Sequence, residues 1–122
     1  MIALAVMVAG ALGAVTRFVV DGAVKRRWPT TFPWATLLIN VTGSFLIGVL
    51  AGAVIFHAAP EEWKAVLGTG FCGGYTTFST ASFETVRLAE GRQSVTAVTY
   101  AVASVLSSVL GATAGLAVAW AL

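Results

Sequence analysis

Charge is what this sequence has least of. Among 122 residues there are seven Lys or Arg and five Asp or Glu, 10% of the chain, against 58% hydrophobic residues. A soluble domain covers its core with charge, usually about a quarter of its residues, and a mean hydropathy of +0.91 lies well outside that range. Cysteine and histidine are almost as scarce. Cys72 alone permits no intrachain disulfide and no thiolate metal cluster, and the lone His57, where an apolar stretch meets a loop, reads as an ordinary interface residue. Zinc and redox chemistry are therefore disfavoured. No nucleophile with its base, metal-ligand set or phosphate loop can be picked out, so the chain is not expected to be an enzyme.

What the sequence does hold is long apolar runs. A transmembrane helix takes about 20 predominantly apolar residues, and four such runs lie between clusters of charge, over about residues 2–20, 34–56, 65–86 and 95–122. Nearly all the charges fall in the linkers, Arg17 and Glu84 being the exceptions near span ends. Trp34, Trp63 and Trp120 mark span ends and Trp28 lies in the first linker, where amphipathic rings favour the headgroup zone. The first run has no positive n-region and three more follow it, so it is not read as a cleaved signal peptide. The expectation is an all-α integral membrane protein, residues 1–122 forming one transmembrane domain of four helices.

Small residues recur at intervals of four: Ser44, Gly48 and Gly52 in the second run, Ser107, Gly111 and Gly115 in the fourth. Each trio shares one helical face, the kind of face that lets helices approach closely in lipid. The third run differs. From Gly68 to Thr80 it carries Gly68, Gly70, Gly73 and Gly74, then Thr76, Thr77, Ser79 and Thr80 close behind Tyr75. Gly and Thr are weak helix formers, and irregular backbone at membrane depth survives only when buried in protein or lining a wet cavity. A break between Gly73 and Thr77 is expected, with carbonyls freed on one half-helix and N–H groups on the other.

Neutral polar residues line up inside the membrane. Thr36 and Asn40 are four apart, as are Tyr100, Ser104 and Ser108, so each set forms a stripe on one face. A single Ser or Thr usually bonds back to its own helix. Asn40 is different, because a carboxamide within a span needs a partner. The stripes hold neutral groups only, and the one acid near the core is Glu84. Hydroxyls, amide N–H groups and the positive edges of aromatic rings suit a small dehydrated anion.

Three segments resemble the Fluc family of fluoride channels, also called CrcB, over essentially the whole chain: the stretch from Gly10 to Phe18, ending Thr16-Arg17-Phe18; Thr36-Leu37-Leu38-Ile39-Asn40-Val41-Thr42-Gly43-Ser44-Phe45; and Gly70-Phe71-Cys72-Gly73-Gly74-Tyr75-Thr76-Thr77-Phe78-Ser79-Thr80. The resemblance implies a passive, fluoride-selective channel of the cell membrane, built as an antiparallel dimer with two pores. HF crosses membranes and dissociates inside at higher pH, and such a channel lets the trapped anion out. By this resemblance Asn40 donates to fluoride and Phe78 offers its ring edge, with Thr36, Tyr100, Ser104 and Ser108 continuing the polar track. Arg17 stands at the vestibule. The carbonyls of Gly73 and Thr76 look like ligands of a structural sodium ion shared by both subunits. The expected partners are fluoride, sodium, membrane lipid and the second subunit, with no nucleic acid among them.

One position departs from the family pattern: Ala81 stands where a second pore phenylalanine is usual, and Phe83, two residues on, is turned about 200° around a helix. The cations are lopsided as well. Lys25, Arg26, Arg27, Arg87 and Arg92 fall in the first and third linkers, and Lys64 alone in the second. A bias of that size sets one orientation, with both termini outside. Bias and Ala81 together point to an oppositely oriented paralogue as the partner, set against a homodimer with an altered aromatic lining. Two other readings stand beside the channel. A small four-span multidrug-type exporter would need a carboxylate embedded in the first span, which is absent, and a non-transporting scaffold subunit would use the polar stripes only as interhelical glue.

Overall fold

The computed structural model describes all 122 residues, which form helices and no strand. In chain order they are α1 (Ile2–Arg27), α2 (Trp34–His57), a short α3 (Glu61–Trp63), a π-helical segment (Lys64–Cys72), α4 (Gly73–Tyr75), α5 (Phe78–Glu90) and α6 (Ser94–Ala121). Three of these, α1, α2 and α6, are long and apolar enough to cross a membrane. The 26 residues of α1 rise about 39 Å, more than the roughly 30 Å of a hydrocarbon core. The third apolar stretch is helical but divided. Its upstream part runs through α3, the π-helical segment and α4, and its downstream part is α5.

The helices reach further than the apolar runs. Asp21, Lys25, Arg26 and Arg27, assigned to a linker by their charge, lie on the last turns of α1. Lys25 pairs with Asp21 one turn earlier at 2.9 Å, and the three cations complement the negative end of the helix dipole. Glu61 and Glu62 likewise sit on α3, and Arg87 and Glu90 on α5. Charge marks where helices leave the hydrocarbon, not where they stop.

Two glycine seams hold the bundle. α2 packs chiefly on α6, while α1 packs on the π-helical segment and α4. A methyl group added at Gly48 would collide with the carbonyl of Ala112, and one at Gly115 with the carbonyl of Phe45, so the two small-residue faces interlock. Across the other seam, Gly13 leaves no room against the carbonyl of Phe71, nor Gly74 against that of Gly10. Packing of backbone against backbone is the main attraction available between helices in lipid, where apolar burial gains little. At the far end of the first seam His57 Nε2 lies 2.6 Å from the Ala119 carbonyl, tying α2 to the last turn of α6.

Only 18 of the 122 residues are buried, and Phe, Leu, Val and Ile side chains cover the outside. Such a surface would aggregate in water; in hydrocarbon it is the matching coat. The chain is an all-helical, multi-pass membrane protein.

Candidate functional site

The site is built around the interruption of the third stretch. Thr76 (φ −79°, ψ 162°) and Thr77 (φ −152°, ψ 123°) are extended, and α5 starts at Phe78. What holds them so is a pair of hydrogen bonds from α2: the Thr77 N–H donates to Asn40 Oδ1 at 2.8 Å, and Asn40 Nδ2 donates to the Thr77 carbonyl at 2.9 Å. The Thr77 hydroxyl caps α5 by accepting from the Thr80 N–H at 3.1 Å, the ordinary role of threonine at an N-cap.

Asn40, Phe78, Ser104 and Ser108 line one cavity of about 650 Å³, together with Ser44, Thr76, Thr77 and Ala81. Phe78 stands 87% exposed at its edge, so nothing in this chain covers the ring. The Ser104 hydroxyl is buried without a hydrogen-bond partner. By contrast the hydroxyls of Thr42, Thr76, Ser82, Thr85, Ser107 and Thr113 all bond back to their own helices.

The remaining stripe residues lie elsewhere. Thr36 and Tyr100 are almost fully buried and converge on a carboxylate: Thr36 Oγ1 donates to Glu84 Oε1 at 3.0 Å and the Tyr100 hydroxyl to Glu84 Oε2 at 2.9 Å. The stripes are thus not wholly neutral, because α5 turns Glu84 inward between α2 and α6. Their hydroxyl protons are spent on that acid. Phe32 packs edge-on against the Tyr100 ring at 5.6 Å. Glu84 and Thr36 also form part of a second cavity, of about 390 Å³, whose rim carries Lys25, Arg87 and Trp28. Arg17 lines a third, of about 380 Å³, with Asp21, Thr36, Thr77 and Thr80. Thr36 and Thr77 are therefore shared walls between neighbouring cavities.

Gly73 is exposed, and a methyl group there would meet nothing within 4 Å. In an unbroken helix its carbonyl would accept from Thr77, and that of Thr76 from Thr80. Both donors are diverted, one to Asn40 Oδ1 and one to Thr77 Oγ1. Ala81 lines the large cavity and also touches the Leu88, Ala97 and Tyr100 cluster. Phe83 is 66% exposed and lies outside that lining.

Sequence reasoning missed two participants, Glu84 and Thr77. Glu84 had a signal, as the only acid near a span interior. Thr77 carried only the weak signal of a threonine before a helix, since it meets Asn40 through its backbone.

Fold and site together define a polytopic helical membrane protein with a polar cleft beside an interrupted helix. The family described as CrcB-like protein, Camphor Resistance (CrcB), matches residues 4–116, and the chain belongs to it. Among its relatives, a Leifsonia xyli subsp. xyli protein named Fluoride-specific ion channel FluC 1 is 57% identical over 93 residues, covering 76% of this chain and 68% of the relative. Fluoride-specific ion channel FluC 2 of Mycobacterium tuberculosis is 49% identical over 115 residues, 94% of this chain and 86% of the relative. Fluoride-specific ion channel FluC 2 of Cutibacterium acnes is 44% identical over 113 residues, 92% of each chain.

Proposed function

We propose that this chain is a subunit of a fluoride-selective channel that lowers cytoplasmic fluoride by passive export through the cell membrane. The observation that carries the reading is the cavity where Asn40, the Phe78 ring and the hydroxyls of Ser104 and Ser108 meet. Fluoride is small and strongly hydrated, so a path through hydrocarbon must replace its water with donors. Asn40 keeps one N–H beyond its bond to Thr77, Ser104 keeps a free hydroxyl, and the positive ring edge of Phe78 completes the set. Thr36 and Tyr100, whose hydroxyls donate to Glu84, stand outside that donor set and border it, and Arg17 draws anions toward the cleft by charge.

A single chain leaves the cleft open. An inverted second subunit covering Phe78 and Gly73 closes it, in an antiparallel dimer with two pores. The carbonyls of Gly73 and Thr76, stripped of their helical donors, are the hard oxygen ligands that suit a sodium ion where the two subunits meet, with the matching pair supplied by the other subunit. Five cations against one across the linkers orient both termini outward. That orientation and Ala81 favour an oppositely inserted paralogue over a second identical copy, the paralogue supplying the phenylalanine this chain lacks.

The test is fluoride-electrode efflux from liposomes carrying the purified chain, alone and with a candidate paralogue. Efflux only with the paralogue supports the full reading; robust efflux from the chain alone overturns the heterodimer, and none in either case overturns the channel. Asn40→Ala that assembles but does not conduct separates a channel from a scaffold.

A further inference from the structure

Thr77 meets Asn40 with both of its backbone polar groups, and this one contact has two effects at once. The first concerns Asn40. Its Oδ1 accepts from an N–H and its Nδ2 donates to a carbonyl, so turning the carboxamide over would set donor against donor and acceptor against acceptor. The amide is locked, with one Nδ2 proton spent and the other free toward the cavity that Asn40 lines. The second concerns the backbone upstream. The Thr77 N–H given to Asn40 is withheld from the Gly73 carbonyl, and the Thr80 N–H given to the Thr77 hydroxyl at 3.1 Å is withheld from the Thr76 carbonyl.

We infer that Thr77 is a positioning residue that couples the anion path to the carbonyl pair: its clasp to Asn40 aims a single Asn40 proton into the cavity and frees the Gly73 carbonyl, and its hydroxyl frees that of Thr76, so that the two can hold a cation. This deepens the proposed channel reading and rests on it. It makes Asn40 a determinant of sodium binding, although the two carbonyls belong to other residues. Phe78, next along the chain, has no part in the clasp.

Three measurements on the assembled protein test the coupling. In detergent micelles, with Asn40 side-chain ¹⁵N resonances resolved, the two Hδ2 protons are expected to exchange with D₂O at different rates, and added sodium fluoride to shift only the faster one. Equal exchange, or equal shifts, overturns the lock. Melting curves in sodium chloride and in N-methylglucamine chloride are expected to show sodium-dependent stabilisation that Asn40→Ala abolishes and Phe78→Ala retains. Loss in both variants, or in neither, overturns the coupling. Thr77→Ala, which removes the cap, is expected to slow fluoride efflux about fivefold, the equivalent of a lost N-cap, with Thr77→Ser recovering most of it; equal rates in the two variants overturn the hydroxyl's part. The exchange measurement reads the clasp whether or not the protein conducts fluoride, so failure of the inference and failure of the channel reading are told apart.

Discussion

Upstream of Thr76 the third membrane stretch is held by backbone lying on backbone, with Gly70 and Gly74 pressed against Val6 and Gly10 of α1. Downstream of Thr77 it is held by side chains: the clasp to Asn40, the threonine cap, and Glu84 between Thr36 and Tyr100. Where the upstream half meets α1, at Gly70 and Gly74, there is room for nothing larger than hydrogen. The downstream half leaves a cavity and an uncovered ring. One half anchors, and the other offers chemistry.

The strongest way to break this contrast is Gly74→Val. A branched side chain must displace the backbone of α1 at Gly10, at a cost of about 3 kcal/mol or more, and size-exclusion chromatography is expected to show no monodisperse protein. Asn40→Asp keeps the shape but sets a carboxylate oxygen against the Thr77 carbonyl and removes both Nδ2 protons. Fluoride efflux from liposomes is expected to fall about 100-fold, corresponding to some 2–3 kcal/mol. Phe78→Ala removes a ring that touches little within the chain. Efflux is expected to drop about tenfold, while helicity by circular dichroism is retained, because the fold of the chain itself does not rest on the ring. The smallest effect sharpens the comparison between two adjacent glycines. Gly73→Ala meets open space where Gly74→Val meets backbone, so helicity by circular dichroism is expected to be retained within about 1 kcal/mol. On the proposed antiparallel dimer, in which a second subunit fills that space, the cross-linked dimer fraction is expected to fall.

Much of this was legible in the residues. Apolar run length sufficed for α1, α2 and α6, the spacing of Gly48 with Gly52 and Gly111 with Gly115 marked two close-packing faces without showing that α2 and α6 meet through them, and clustered Gly and Thr marked the third stretch as unusual. Other features left little trace. The π-helical geometry of Lys64–Cys72 comes from an i→i+5 pattern with no compositional signature. Most of the linker charges, Arg92 excepted, belong to helices, because a helix that has emerged from hydrocarbon loses no reason to continue. Reading the polar stripes one helix at a time hid Glu84, whose position depends on how α5 is phased against its neighbours. Most of all, the partner of Asn40 is a backbone 37 residues away, and every residue except proline offers the same N–H and carbonyl, so spacing alone could not single out Thr77.

The clasp also makes the division of the third stretch conditional on its neighbour. Until α2 lies beside it, the third stretch has no acceptor for the Thr77 N–H except the Gly73 carbonyl, and the satisfied state of that segment in lipid is a continuous helix. The two half-helices are therefore a property of the packed bundle, not of the segment alone. Beside α2 the Thr77 N–H and carbonyl turn to Asn40 and the Thr80 N–H to the Thr77 hydroxyl, leaving the Gly73 and Thr76 carbonyls without their helical donors.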